Sequence, residues 1–337
     1  MKRLFGTTRE DLSAVAEILR SGDVVALPTE TVYGLACLAL DATVVAKVFA
    51  TKKRPAEDPL IVHVEDASQA ARVCETDERF AKLAEAFWPG PLTLVLPKRP
   101  CVPESVTAGL PTVAVRSPGH AVFGEVLRLV GEPLAAPSAN LFGKVSPTRA
   151  EHVKESFGPD HPPVVDGGPT DIGIESTVLD LSAGEPRVLR PGPISRSEIE
   201  ETLGEKVCVA EKAGGEPEAP GQKSPGLLAG HYRPKAPLRI FPDEEAMAEF
   251  LKESEDLPTG TVVLFHGRDD RSPDDLREAM SLFLSEQGSP REIARNLYAR
   301  LREADASDTV LIVTHLCEET GIGRAVNDRL RRASVGN

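Results

Sequence analysis

Residues 24–35 read VVALPTETVYGL, and this stretch decides the class of fold. A short apolar strand over 24–27 is stopped by Pro28, a run of polar residues follows, and the chain becomes apolar again at Val32. Because ligand sites in open α/β sheets lie beyond the ends of such strands, the polar run predicts a binding site. Seen alone, it is equally compatible with a turn whose polar groups bond to one another.

Helix-like and strand-like segments alternate around this stretch. Caps followed by apolar residues at helical spacing predict helices from 7 to 22, after Asp41, over 77–87 and over 121–130. Short apolar runs predict strands over 60–64, 92–96, 112–115, 176–181 and 187–190. Because strands and helices interleave, we predict an α/β domain with a mixed twisted sheet.

Residues 210–226, AEKAGGEPEAPGQKSPG, are poor in large apolar side chains and predict a linker. Beyond them, predicted strands over 238–241, 261–265 and 309–313 alternate with predicted helices over 244–251, 275–285, 291–303 and 324–332. This alternation predicts a smaller parallel, Rossmann-like α/β domain. We therefore predict a catalytic domain over 1–206, a linker or lid over 207–236 and a C-terminal domain over 237–337.

The 337 residues include 39 Lys and Arg against 52 Asp and Glu, a net charge of −13, and only 4% aromatic residues. Non-specific nucleic-acid binding needs a basic surface, and single-strand binding needs aromatic side chains for stacking, so strong direct nucleic-acid binding is not expected. Five cysteines without a C-x-x-C spacing argue against a disulfide framework or a zinc site. No apolar run approaches the ~20 residues that cross a bilayer, so we expect a cytoplasmic protein without membrane association.

Cationic and hydroxyl side chains cluster where predicted elements end. KKRP (52–55) ends a helix, PSAN (137–140) follows a strand-like run, SPT (146–148) resembles a helix cap, and His63, Arg116 and Arg190 stand at strand ends. Each has a plainer interpretation, as a solvated face, a cap or a core histidine. The chain contains no Ser-His-Asp order, no H-E-x-x-H motif and no metal-ligand spacing.

The motifs PTETVYGL, KKRP followed by PLIVH, WPGPLT, AVRSP, PSAN, SPT, DGG, GIESTVLDL and LRPG occur in this order. Together they closely resemble the YrdC family of threonylcarbamoyl-AMP synthases. The later segments SPGLLAGHYRPKAPL and GIGRAVNDRLRRAS resemble the long, two-domain form of that family. The resemblance implies a YrdC-like mixed sheet with helices, followed by a smaller α/β domain.

The resemblance also implies a function. L-threonine, bicarbonate and ATP would give L-threonylcarbamoyl-adenylate and pyrophosphate, a nucleotidyltransferase reaction. Other proteins would then use the product to modify the adenosine beside the anticodon of certain tRNAs, forming t6A. Mg²⁺ is expected with ATP, and downstream tRNA-modification proteins are the expected partners.

The family's functional residues carry over onto matching positions. For the nucleotide these are Lys52, Arg54, Asp58, Ser138, Asn140, Ser146, Arg190 and Tyr232, of which Lys52 and Arg54 are assigned a catalytic role. For threonine they are Thr31, His63, Arg116 and Ser176. We expect Arg116 to bind the carboxylate or carbamate charge, and the lid to bring Tyr232 against the nucleotide. Displacement at phosphorus needs positioning and charge neutralisation more than covalent catalysis, which these cations and hydroxyls supply.

Two other functions remain compatible with the sequence. A cationic hollow in the first domain would suit an RNA-binding module, against which the net charge of −13 argues. A carbamoyltransferase that forms carbamoyl-adenylate would share the first domain, but it needs a further transferase domain that 207–337 does not resemble. Binding of tRNA at physiological salt and replacement of threonine by carbamoyl phosphate would distinguish these alternatives from the synthase.

Overall fold

The computed structural model describes residues 4–209, 231–253, 257–268, 279–305 and 308–335. The predicted linker 210–226 lies outside the described residues. The chain forms two compact units, the first built mainly from residues before 210 and the second mainly from residues after 230. Two short segments, 143–146 and 172–174, group with the second unit. The predicted domain limits at 206 and 237 stay a prediction.

A mixed sheet forms the centre of the first unit. Its strands within the described residues are β1 Leu4–Phe5, β2 Val25–Leu27, β3 Gly34–Leu38, β4 Ile61–His63, β5 Leu92–Pro97, β6 Thr112–Arg116, β7 Leu134–Ala135, β8 Val164–Val165, β9 Thr177–Asp180, β10 Arg187–Arg190 and β11 Cys208–Val209. Their order is β1-β8-β2-β3-β7-β4-β6-β5-β9-β10-β11. Parallel pairs such as β4–β6 stand beside antiparallel pairs such as β5–β6, so the predicted mixed α/β class is confirmed.

Helices cover both faces of this sheet. They are α1 Arg9–Arg20, α2 Ala42–Lys52, α3 Ala67–Ala70, α4 Glu78–Phe87, α5 Glu104–Thr107, α6 Ala121–Val130, α7 Ala150–Phe157 and α8 Arg196–Leu203. Side chains of Thr8, Asp41 and Asp77 accept backbone N–H bonds at the starts of α1, α2 and α4, and Ser195 with Glu198 forms a capping box at α8. These caps satisfy N–H groups that have no partner within a helix, which is why the helix starts were predictable.

Alternation along β2 and β3 explains the two helix layers. Val25 and Leu27 pack with Ala36 in the cluster that includes α1 and α6. Ala26 and Leu35 point the other way, into the cluster that includes α2, α4 and α8. Successive side chains of a strand point to opposite faces, so a strand that is apolar at every position requires cover on both sides.

The second unit contains a four-stranded parallel sheet in the order β12-β15-β13-β14. Its strands are β12 Leu238–Phe241, β13 Thr261–Phe265, β14 Met280–Phe283 and β15 Leu311–His315, and its helices are α9 Glu244–Glu253, α10 Pro290–Ala304 and α11 Gly321–Ala333. The predicted parallel α/β domain is confirmed. In the described part of the chain, no helix is long and apolar enough to span a bilayer.

The predicted helix over 275–285 is wrong where the structure describes it. Residues 280–283 form strand β14, whereas 275–278 lie outside the described residues. Met and Leu favour helices in isolation, but β14 pairs in parallel with β13, and Leu282 and Leu284 are both buried. Pairing and burial in the sheet therefore override the local preference.

Candidate active site

The polar run after β2 surrounds the guanidinium group of Arg116, the last residue of β6. Arg116 donates from NH1 to Oγ1 of Thr31 at 3.0 Å and from Nε to the carbonyl oxygen of Gly90 at 3.1 Å. Its NH2 atom lies 2.7 Å from Oε1 of Glu30 in a buried ion pair. The run also bonds to itself, since Oγ1 of Thr29 lies 2.8 Å from Oγ1 of Thr31. The polar run is therefore a turn whose side chains also contact Arg116 at the end of β6.

His63 lies beside Arg116 because the two are register partners in the parallel pair β4–β6. The imidazole packs against the ring of Phe123 on α6, with 5.0 Å between the centroids. Burial, together with the nearby charge of Arg116, lowers the pKa of His63 to about 3. The ring is therefore neutral at physiological pH, so it can contribute a hydrogen bond but no positive charge.

Ser176, which directly precedes β9, joins two parts of the site. Its Oγ atom lies 2.8 Å from Oγ1 of Thr93 on β5 and accepts a bond from NH2 of Arg190 at 3.1 Å. Nε of Arg190 donates to the backbone oxygen of Ser176 at 3.1 Å. Since β5 lies between β6 and β9, Ser176 connects Arg190 to the strand next to the one that ends in Arg116.

Lys52 is buried at the C-terminal end of α2. Its Nζ atom donates to the backbone oxygens of Ser138 and Asn140, each at 2.5 Å. The K-x-R lysine thus holds the S-x-N turn, which follows β7. In the same turn, the Asn140 amide nitrogen donates to the backbone oxygen of Leu141 at 2.8 Å.

Arg54 and Asp58 form a second buried ion pair, with NH2 2.8 Å from Oδ2. Arg54 also donates from Nε to the backbone oxygen of Asp58 at 3.1 Å and from NH2 to that of Pro59 at 2.8 Å. These bonds order the loop between α2 and β4. They also fix the orientation of the Arg54 guanidinium, and Arg54 follows Lys52 by two residues in the chain.

Positive charge is in excess around Asp58. Burial raises the pKa of Asp58, and Arg54, Lys52 and Arg190 oppose that rise without cancelling it. Burial and the charge of Arg54 lower the pKa of Lys52 well below its usual range. Arg54 and Arg190 thus remain the charged groups that act on Asp58 in a buried place, and the Lys52 amine is shifted toward its neutral form. A bound anion such as a polyphosphate would relieve the repulsion among them.

Two predicted nucleotide contacts belong to the second unit. Ser146 lies in the segment 143–146, whose Val145 backbone oxygen accepts a bond from NH2 of Arg302 on α10 at 2.5 Å. The ring of Tyr232 stacks on that of Tyr298 with 5.4 Å between centroids, and the guanidinium carbon of Arg329 lies 5.7 Å from it. The assignment of Ser146 and Tyr232 to the nucleotide stays a prediction.

Glu30 and Tyr33 both lie in VVALPTETVYGL, although neither was predicted to have a role. The Tyr33 hydroxyl donates to the backbone oxygen of Gly168 at 2.7 Å and accepts a bond from the nitrogen of Gly167 at 3.2 Å. It therefore ties the polar run to the DGG turn. Glu30 could have been identified from its residue type, because a carboxylate beside a buried strand is costly unless a cation lies nearby.

The low pKa of His63 predicts an acid-sensitive first unit. In the unfolded chain the His63 imidazole binds a proton near pH 6.5, whereas in the folded chain it does so only near pH 3. The free energy of unfolding therefore decreases as the pH falls through this interval. Between pH 6.5 and 5 the expected loss from this group is about 2 kcal/mol. In urea denaturation, the free energy of unfolding of His63→Asn should change by about 2 kcal/mol less between pH 7.5 and pH 5 than that of the parent. His161→Gln, at a half-buried histidine, is the matched control, and equal pH dependence in His63→Asn would contradict the expectation.

Two family models match the chain. Residues 17–192 match the Sua5/YciO/YrdC model, which is described as "Telomere recombination". Residues 194–335 match the model described as "Threonylcarbamoyl-AMP synthase, C-terminal domain". The two matches together span most of the chain, in agreement with the predicted resemblance.

Similar proteins extend over both units. The threonylcarbamoyl-AMP synthase of Pyrococcus abyssi is 41% identical over 329 residues, which cover 95% of this chain and 92% of that protein. The one from Bacillus subtilis is 38% identical over 98% of this chain and 94% of that protein. The solved structure of P. abyssi Sua5 complexed with L-threonine has a TM-score of 0.87 and 38% identity, covering 98% of this chain and 97% of that one. Escherichia coli YciO, at 22% identity and a TM-score of 0.51, covers 56% of this chain and shows a likeness of fold alone.

Proposed function

The chain belongs to the Sua5/YciO/YrdC family of threonylcarbamoyl-AMP synthases, and on this basis we propose that it makes L-threonylcarbamoyl-adenylate and pyrophosphate from L-threonine, bicarbonate and ATP. This makes it a nucleotidyltransferase. The observation that carries the proposal for this site is the burial of Lys52, Arg54 and Arg190, with Arg54 paired to Asp58 at 2.8 Å and Arg190 bonded to Ser176. The match of 194–335 to the synthase C-terminal domain favours the synthase over a carbamoyltransferase.

The chemistry requires no enzymatic nucleophile. The amine nitrogen of threonine bonds to the carbon of carbon dioxide and loses a proton, or to the carbon of bicarbonate with loss of water, and either route gives a carbamate. An oxygen of the carbamate attacks the α-phosphorus of ATP, the bond from that phosphorus to the bridging oxygen breaks, and pyrophosphate leaves with the electron pair. Negative charge grows on the phosphate oxygens during this step, so preorganised cations lower the barrier. Arg54 and Arg190 supply that charge, and a bound polyphosphate would favour the protonated form of Lys52.

Each proposed nucleotide residue has a distinct task. Lys52 anchors the S-x-N turn, so that Ser138 and Asn140 present polar groups to the triphosphate. Arg54 and Arg190 neutralise phosphate charge, and Asp58 fixes the direction of the Arg54 guanidinium. Ser146 and Tyr232, which the family resemblance also assigns to the nucleotide, belong to the second unit.

Of the proposed threonine residues, Thr31 and His63 lie beside Arg116, whereas Ser176 precedes β9, two strands away in the sheet. The Arg116 guanidinium binds the α-carboxylate, because planar N–H donors suit a carboxylate. Thr31, Ser176 and the neutral imidazole of His63 offer hydrogen bonds without adding charge. P. abyssi Sua5 has been solved with L-threonine, which supports an amino-acid site in this family.

Mg²⁺ is proposed to enter with ATP. Among the described residues no group of three or more His, Cys, Asp or Glu side chains is placed to hold a metal ion. Mg²⁺ commonly binds through substrate phosphates and water with few protein ligands. The phosphates of ATP would therefore supply most of its ligands, and the ion would offset phosphate charge.

The product has a proposed destination outside this chain. Threonylcarbamoyl-adenylate is a mixed anhydride and an activated acyl donor, so a second protein must transfer its threonylcarbamoyl group to adenosine in tRNA. The net charge of −13 makes a separate tRNA-binding partner more consistent than strong direct RNA binding by this chain. We propose that this takes place in the cytoplasm.

Pyrophosphate release tests the proposed function. With ATP and Mg²⁺ present, release should require L-threonine and bicarbonate together, because the carbamate is the attacking group. The assay compares the complete mixture with mixtures that lack one component. Release at the same rate without threonine would mean that the chain hydrolyses ATP or uses another acceptor, and the synthase function would be rejected.

A further inference from the structure

Glu30 makes two contacts through one carboxylate oxygen. Oε1 lies 2.7 Å from NH2 of Arg116 and accepts a bond from the backbone nitrogen of Gly119 at 2.9 Å. The side chain of Glu30 is only 9% exposed, and that of Arg116 is only 4% exposed. Neither the family resemblance nor the relatives' names give Glu30 a role.

This ion pair joins three separate segments of the first unit. Glu30 belongs to the polar run after β2, Arg116 ends β6, and the Gly90 carbonyl that accepts from Arg116 belongs to WPGPLT. The Gly90 nitrogen donates in turn to the backbone oxygen of Ser117 at 2.8 Å. A Cβ added at Gly119 would lie 3.3 Å from Oε1 of Glu30, a tight contact that the carboxylate could relieve only by a small shift. The three segments therefore depend on the same carboxylate for their arrangement.

The contacts also limit what the guanidinium can still bind. An arginine has five N–H donors in a planar fork. Nε and NH1 donate to Gly90 and Thr31, and NH2 lies 2.7 Å from the Glu30 carboxylate as an ion pair without a completed hydrogen bond, so the remaining N–H groups can bind a ligand. The orientation of those groups is set by the three contacts already made, and Glu30 supplies the charged one.

The charge of Glu30 is retained despite burial. Burial raises its pKa, but the charge of Arg116 and the Gly119 N–H bond lower it further, and the net result is a lowered pKa. The carboxylate is therefore ionised at neutral pH. Removing it would leave a buried guanidinium without its counter-ion, held only by its bonds to Gly90 and Thr31.

We propose that Glu30 is the positioning residue that orients Arg116 toward the substrate α-carboxylate, and that it thereby sets the selectivity for amino acids with a free carboxylate. The inference deepens the proposed function and rests on it. Glu30 acts through Arg116 and does not itself touch the reacting atoms.

Calorimetric titration of four proteins with two ligands tests this role. The proteins are the parent, Glu30→Gln, Glu30→Asp and the control Glu132→Gln, whose carboxylate pairs with Arg72 at 2.9 Å on the surface. The ligands are L-threonine and L-threoninamide, which lacks the carboxylate charge. Glu30→Gln should bind L-threonine about 30- to 100-fold more weakly, at the low end of the range for breaking a buried charge pair. Its preference for L-threonine over L-threoninamide should fall by about the same factor, while Glu30→Asp falls less and Glu132→Gln behaves as the parent.

The preference ratio separates positioning from a merely structural role. Equal weakening of both ligands in Glu30→Gln, or tighter L-threonine binding because a competing anion is gone, would overturn the proposal. ATP affinity within about twofold of the parent reports that the variant is folded. If Glu30→Gln does not fold, Glu30→Asp decides, and an unchanged ratio in that variant also overturns the proposal. A parent that binds no L-threonine would contradict the proposed function itself, which is a different result from an insensitive Glu30.

Discussion

Replacing Arg116 by alanine should weaken L-threonine binding by about 10²-fold or more, because a carboxylate left without its charged partner loses roughly 2–5 kcal/mol. ATP affinity, measured without threonine, should stay within about threefold, since Lys52, Arg54 and Arg190 do not bond to Arg116. Calorimetric titration with each ligand separately measures the two affinities. The same protein should need far more threonine for half-maximal pyrophosphate release.

The controls for Arg116→Ala must account for stability. Removing the guanidinium leaves Glu30 buried without a counter-ion, which is strongly destabilising when both groups are inside the protein. Arg116→Lys keeps the charge but not the planar fork, so it should fold and still lose threonine affinity. Arg72→Ala removes an exposed arginine with an ion pair of 2.9 Å and should behave as the parent. Intact threonine affinity together with lost ATP affinity would show that Arg116 serves the nucleotide instead.

Replacing Lys52 by alanine should lower kcat/KM for ATP by about 10²-fold or more, on the order of the loss of a preorganised charged contact. The change removes a cation and also leaves the Ser138 and Asn140 carbonyls without their shared donor. The S-x-N turn would then lose the anchor that places its side chains. Steady-state pyrophosphate release at varied ATP and saturating threonine measures the effect.

Lys47→Ala is the matched control for Lys52→Ala. Lys47 lies on the same helix but is half exposed and reaches Asp23 only at 4.0 Å. Such a pair contributes little to stability, so the control should keep parental kinetics. If folded Lys52→Ala also keeps them, KKRP is a structural cluster and its assignment to ATP is wrong.

The local elements were predictable because their signals are local. The caps at Thr8, Asp41 and Asp77 and the capping box at Ser195 lie next to the helices that they start. Strands with consecutive apolar residues, such as β13, were predicted for the same reason. The error at β14 has the opposite origin, because its strand conformation depends on pairing with β13 and not on its own composition.

The candidate site was predictable only as a set of residue types. The order of motifs identified Lys52, Arg116, Ser176 and their companions, and the structure brings Arg116 to Thr31 and Arg190 to Ser176. The order of the motifs did not reveal that Lys52 donates two hydrogen bonds to backbone oxygens. The order of the motifs also did not reveal that Arg116 forms an ion pair with the carboxylate of Glu30.

The sequence by itself determined the family, the α/β class, the linker composition and the chemistry of a site with cations and hydroxyls but no nucleophile. These follow from residue types at fixed spacing and from periodicity, which are properties of short segments. Only the tertiary structure decided which groups meet: Glu30 with Arg116, Lys52 with the S-x-N turn, and Tyr33 with the DGG turn. Such contacts join residues far apart in the chain, and they depend on strand order, register and twist, which no local pattern encodes.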